Sequence, residues 1–178
     1  MSSDRYLEIF PEWLRTLGAD VAVLSAALSD EAAPEGARRA IAGALNYVFK
    51  SVDLIPDGID DIGYIDDAFV MRVASAQSVA AGLSAEAHGA IASLASECEA
   101  VKDFLGGDFA RLDRYVTGLQ KGAARGRSVD DIVAKPGVRE ELLSDTRAFS
   151  REYAQPSFNR DERTLIKLRA FFDARLPR

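Results

Sequence analysis

Apolar residues in this chain recur at alternating steps of three and four, the spacing that gathers side chains on one face of an α-helix. The first such stripe is Leu7, Phe10, Leu14, Leu17, Val21, Leu24 and Leu28. Pro11 falls inside it and predicts either a kink or a fresh helix with Pro11 in its first turn. A second helix is predicted to open near Pro34 and Glu35 and to carry Ile41, Leu45, Val48 and Val52. A third runs through Ile65, Phe69, Val73, Ala76, Ala80 and Leu83, with Gly82 as its stop and Ser84 as the next N-cap. The fourth stripe is Ala87, Ile91, Leu94, Cys98, Val101 and Leu105, ended by Gly106 and Gly107.

Asp108 is placed to cap a fifth helix with Phe109, Leu112, Val116, Leu119 and Ala123 inward, frayed at Gly122 and Gly126. Ser128 and Asp131 stand at capping-box spacing ahead of Ile132 and Val133. Pro136 opens another helix bearing Val138, Leu142, Phe149 and Tyr153. Pro156 closes that segment, and residues 161–176 form the last helix with Leu165, Leu168 and Phe172 inward. No stretch of β-branched alternation bounded by turns requires a strand, and there is no solenoid repeat. The pattern predicts an all-α bundle of six to eight helices, residues 1–178 forming a single helical domain. The glycine-rich stretch 118–137 is the place for a hinge before a C-terminal helical hairpin.

With 178 residues, of which 48% are hydrophobic and 28% charged, the chain can bury a sizeable core and is not a disordered tail. A single cysteine, Cys98, excludes an internal disulfide framework, and a single histidine, His88, excludes multi-histidine metal centres within one chain. The amino terminus, Met1-Ser-Ser-Asp-Arg-Tyr, lacks the basic-then-apolar order of a signal peptide, and no apolar run is long enough to span a bilayer. A cytoplasmic protein without a transmembrane segment is expected. The net charge of −6 is uneven: residues 1–110 hold seven Lys/Arg against eighteen Asp/Glu, and residues 111–178 hold fifteen against ten. An acidic whole repels polyanions, so nucleic acid is not an expected partner, and the basic third is expected to pack beside the acidic part of its own fold.

One stretch stands apart. Residues 51–67 contain six aspartates and no basic residue, with Leu54, Ile55, Ile59, Ile62 and Ile65 threaded between them. Two bare carboxylates about 6 Å apart repel by roughly 0.7 kcal/mol in water and by more beside a core. Helix N-termini, backbone donors, a basic partner or a cation must offset this. Capping accounts for most of the positions: Asp53 before a turn with Pro56, Gly58 and Gly63 as tight backbone positions, and Asp66 and Asp67 in the first turn of the third helix. A hard cation, Mg²⁺ or Ca²⁺, is the other account, with Asp57, Asp60, Asp61, Asp66 and Asp67 as oxygen ligands. The spacing is not that of an EF-hand.

At this stretch the chain resembles the YkvA-like family, a short helical domain without an assigned function. The family pattern is a Ser-Pro-x-Asp-Leu-Ile-Pro-Asp run, a short apolar turn, then Gly-Tyr-x-Asp-Asp opening a helix. Asp53, Leu54, Ile55, Pro56 and Asp57 match the first half; Gly63, Tyr64, Asp66 and Asp67 match the second at the expected separation. The resemblance covers roughly residues 38–75 and brings no reaction with it. Many relatives look membrane-associated, but Gly58 and the Asp60, Asp61 pair here replace apolar residues and make insertion of this loop unfavourable.

Other candidates carry less. Cys98 lies on an inward stripe and reads as an inert thiol, and His88 has no partner visible in the sequence. Trp13 suits either core or an interface, and Lys121, Arg125 and Arg127 suit the end of a helix dipole. No phosphate-binding glycine loop or nucleophile elbow is present, and no catalytic residue or resident cofactor emerges. The leading expectation is a non-catalytic protein-interaction or regulatory module that binds a protein partner or its own copies. The alternatives are a divalent-cation-binding protein, or a metal-dependent enzyme acting on a phosphorylated substrate at the aspartate loop. Peripheral contact with an anionic membrane through residues 121–127 is a third.

Overall fold

A computed structural model of the chain describes residues 3–178 and is an all-α helical bundle. Met1 and Ser2, the start of the stretch read for a signal peptide, lie outside the described residues. No helix among the described residues is long and apolar enough to cross a membrane. In chain order the helices are α1 (Asp4–Leu28), α2 (Glu35–Tyr47), α3 (Ile65–Ala80), α4 (Gly89–Leu105), α5 (Phe109–Leu119), α6 (Val129–Ala134), α7 (Pro136–Glu152) and α8 (Glu162–Arg175).

The first stripe is one continuous helix, so Pro11 begins no new one. Its ring is buried among the core side chains, and the packing of α1 against α2, α3, α4 and α7 outweighs the lost hydrogen bond. The second helix stops at Tyr47, short of the expected Val52, which is 70% exposed. Helix α3 ends before Gly82, whose φ of +99° a residue with a Cβ adopts only under strain. Ser84 does not cap α4: its Oγ accepts the Ala87 N–H within a separate turn, and α4 opens at Gly89 with Ala87 exposed. Asp108 closes a short 3₁₀ turn, Gly106–Asp108, and its carboxylate accepts from Arg111 at 2.7 Å instead of capping a helix.

One strand pair was not foreseen. Residues Ala123–Ala124 (β1) and Arg127–Ser128 (β2) pair antiparallel across a turn in which Arg125 and Gly126 both have positive φ. With only two residues per strand, no period-2 signal exists to be read. The Ser128 cap is as expected, its Oγ accepting the Asp131 N–H at 3.1 Å, and Asp161 caps α8 by accepting from Thr164 at 3.0 Å.

Helix α3 lies at the centre, packed against α2 and α4 and touching α1 and α5. An aromatic cluster of Tyr6, Phe10, Trp13, Phe69, Phe104 and Phe172 joins α1, α3, α4 and α8. The expected C-terminal hairpin is not the packing unit. Helix α7 runs along α1 and α6, whereas α8 lays Phe172 flat on Phe69 of α3 at 5.0 Å. The stretch 118–137 is itself fastened to α2: Asn46 Nδ2 donates to the Arg127 carbonyl at 2.9 Å, and Arg39 pairs with Asp130 at 2.5 Å. The basic third packs on the acidic part, as in Arg160–Glu8 at 3.0 Å and Arg139–Glu31 at 3.3 Å.

Candidate functional site

The aspartate loop leaves α2 at Tyr47 and returns at Ile65, and its amides are satisfied from within. Leu54 and Ile55 are buried, so their N–H groups need acceptors. The Leu54 N–H donates to the Tyr47 hydroxyl oxygen at 2.8 Å, and that hydroxyl donates to Asp66 Oδ2 at 2.5 Å. The same Oδ2 accepts the Ile55 N–H at 3.1 Å. One carboxylate on α3 and one phenol on α2 thereby hold the Leu54–Ile55 segment against the bundle. Gly63 is required by close approach, because a Cβ there would land on the Asp57 carbonyl oxygen. The positive backbone angles fall on Asp61 (φ 74°) and Tyr64 (φ 65°); of the two glycines read as tight positions, Gly63 is one and Gly58, with open space around it, is not. The Tyr64 ring packs edge-on against Tyr153 at 5.5 Å, which holds that strained residue in place.

The six aspartates divide into two sets. Asp60 is exposed and Asp61 half-buried at the loop tip, where the Asp60 carbonyl accepts from Lys167 at 3.1 Å. Asp53, Asp57, Asp66 and Asp67 lie on the inner side and repel one another's charges. Asp66 and Asp67 are in the first turn of α3 as expected but are 0% and 3% exposed, not solvated. Burial, reinforced by the neighbouring carboxylates, pushes Asp53 up to about 7 and Asp67 well above the usual carboxylate range. Burial also raises Asp66 to about 6, against the pull of Tyr47 and the Ile55 amide, and burial alone raises Asp57. Among the described residues none of the four has an ion pair. Buried Oδ1 atoms of Asp53, Asp57 and Asp66 have no hydrogen-bond partner.

As the side chains stand, no three His, Cys, Asp or Glu residues among those described are arranged to hold a metal ion. The set read from sequence (Asp57, Asp60, Asp61, Asp66 and Asp67) is thus split, with Asp53 taking the place of Asp60 and Asp61 on the inner side. Asp53 also forms no cap, and Asp66 is bonded to a side chain and a loop amide. Protons are the counter-charges this arrangement favours.

A second constellation lies one turn further along α3 and was missed in the sequence. Arg72 is 1% exposed, its guanidinium 4.0 Å from the centre of the Trp13 ring. It donates to Glu97 at 2.7 Å, to Asp20 at 3.4 Å and to the Ala68 carbonyl at 3.1 Å. Burial lowers the Arg72 pKa, opposed by the two carboxylates, and burial raises Asp20 against the pull of Arg72. These groups floor a groove of about 540 Å³ between α1 and α4, walled by Ile9, Val23, Ala90 and Leu94 and edged by Glu8 and Glu12. The one signal in the sequence is a lone arginine in the otherwise apolar stretch 68–74.

The remaining candidates settle into the scaffold. His88 has a partner the sequence concealed, Asp30, at 2.8 Å. Cys98 is buried and its thiol is pushed up to about 11 by that burial. Arg127 and Arg125 both reach Asp145, at 2.7 and 3.3 Å, and Arg125 lies over the Phe49 ring. Those two cations of the expected membrane patch are therefore engaged within the fold, and Lys121 is left exposed beside them.

No curated protein and no solved structure matches the chain. The part of the chain from the first turn of α2 through the aspartate loop to Arg72, residues 37–72, matches the model of a family described as a protein of unknown function, DUF1232.

Proposed function

We propose that the protein is a non-catalytic binding module, built around a YkvA-like corner, that seats a basic helical segment of a partner protein in the groove between α1 and α4. The observation that carries this reading is the groove floor, where a fully buried guanidinium stacked on Trp13 is fixed by carboxylates from two helices. Such a desolvated aromatic–arginine centre within an apolar wall has the make-up of an interface hot spot. Four carboxylates line it: Asp20 and Glu97 answer Arg72, while Glu8 and Glu12 hold only solvent-exposed pairs with Arg160 and Arg15 that cost little to exchange, so charge favours a basic occupant. A fluorescein-labelled amphipathic helical peptide with lysines at i and i+4 tests this by anisotropy. Ala90→Arg with Ser93→Arg, both exposed positions on the groove side of α4, is expected to weaken the peptide at least about tenfold without changing the melting temperature. Equal binding by the variant, or no binding by the wild type, removes the reading. Sedimentation of the wild type shows whether a second copy is the occupant instead.

The unpartnered Oδ1 atoms of Asp53, Asp57 and Asp66 favour a second reading, a hard divalent cation taken up at the corner. It requires the loop carboxyls to swing toward α3. Millimolar Mg²⁺ or Ca²⁺ is then expected to raise the melting temperature of the wild type and not of Asp57→Asn; no shift with either ion ends it.

A further inference from the structure

The chain is acidic overall, yet one cavity is lined by four basic residues and by no aspartate or glutamate. It measures about 340 Å³ and lies between α5 and the last residues of the chain, bounded by Lys50, Arg111, Arg114, Tyr115 and Arg178 with the backbone of Gly118 and Gly122. Arg111 is the fixed wall: it donates to the carbonyls of Asp173, Leu176 and Pro177 and pairs with Asp108 and Asp173. Both carboxylates that Arg111 reaches are thereby occupied. Lys50 and Arg114 have no ion pair among the described residues; Lys50 lies 5.7 Å from the Tyr115 ring and also faces Asp53 in the corner behind it. Tyr115 in turn packs edge-on against Tyr47 at 6.1 Å, so the pocket wall is braced by the acidic corner.

We infer that this pocket binds a phosphate-bearing ligand, with Lys50 and Arg114 contacting the phosphate and Tyr115 forming the apolar wall. Lys50 and Arg114, neither of them ion-paired among the described residues, would repel each other in an empty cavity, and a multiply charged anion relieves both at once. Arginine's planar fork matches phosphate oxygens two at a time, whereas a single carboxylate would leave part of the positive charge unanswered. The site differs from the α1–α4 groove in position, sign and ligand, so either can fail without the other.

Calorimetry on the full chain with inorganic pyrophosphate, and co-sedimentation with phosphatidylcholine vesicles containing about one quarter phosphatidylserine, separate a soluble ligand from a lipid headgroup. Binding of either probe is expected to weaken at least about tenfold in Lys50→Gln/Arg114→Gln, with an unchanged melting temperature. Lys121→Gln, an exposed lysine outside the cavity lining, is expected to leave it unchanged. Pyrophosphate binding lost in the double variant supports a soluble phosphate; vesicle binding lost in it supports a headgroup. Binding that survives the double variant, or neither probe binding, overturns the inference.

Discussion

Replacing Arg72 with methionine is expected to lower the melting temperature by about 6–12 °C, at about 2–4 °C per kcal/mol for a chain of this size. Methionine fills much of the arginine stem's volume and keeps contact with Trp13, so the loss is chiefly electrostatic. Asp20, with an 11% exposed side chain, would be left with only the Thr16 hydroxyl at 3.3 Å. Stranding one member of a buried pair costs about 3–5 kcal/mol, and the lower end applies because Glu97 is 38% exposed and can turn to water. Asp20→Asn in the same background should recover part of the loss, since it removes the stranded charge. A denaturation cycle over the two single variants and the double one measures this coupling. Additive losses would mean that the two groups do not act as a pair.

Stability is expected to rise as pH falls from 8 to 5, against the habit of most acidic proteins. Asp53, Asp66 and Asp67 hold protons in the folded chain that the unfolded chain has released once pH exceeds about 4. A carboxyl raised by folding contributes stability that is fully present below its unfolded value and is lost as pH climbs through its folded value. The window opens near pH 4 and extends to about 6 for Asp66 and about 7 for Asp53. Below pH 4 the sign reverses, because Asp30, held down by His88, and Asp145, held down by Arg127, lose their partners on protonation. Asp67→Asn is expected to raise the melting temperature at pH 8 and to flatten the slope toward pH 5. A wild-type melting temperature that is level or falls between pH 8 and 5 would refute this account.

The helices were legible because burial repeats every third or fourth residue: Leu165, Leu168 and Phe172 were read as inward and are fully buried. Boundaries were read less well wherever a stripe residue continued past the hydrogen-bonded helix, as Val52 and Ala87 do. The 123–128 hairpin left no trace because two-residue strands have no period. In the corner, the local code was visible and the depth was not. Asp66 and Asp67 were placed in the first turn of α3, but sequence does not say that Tyr47 of α2 and the Leu54–Ile55 segment close over that turn. Nor does it pair Tyr47 with Asp66, or Arg72 with Glu97 on α4, since both pairings are made by folding α2 and α4 onto α3. The charge asymmetry was read correctly as cross-packing, yet cavity lining depends on which cations remain without partners. That is a matter of geometry alone.

The Tyr47–Asp66 bond closes a loop of nineteen residues, whereas the bond from Ser150 to the Gly18 carbonyl that ties α7 to α1 spans 132. Chain entropy opposes the second closure more than the first. The α2–α3 corner can therefore assemble from neighbouring chain while the distant helices are still searching, and it gives them a preformed surface on which to settle.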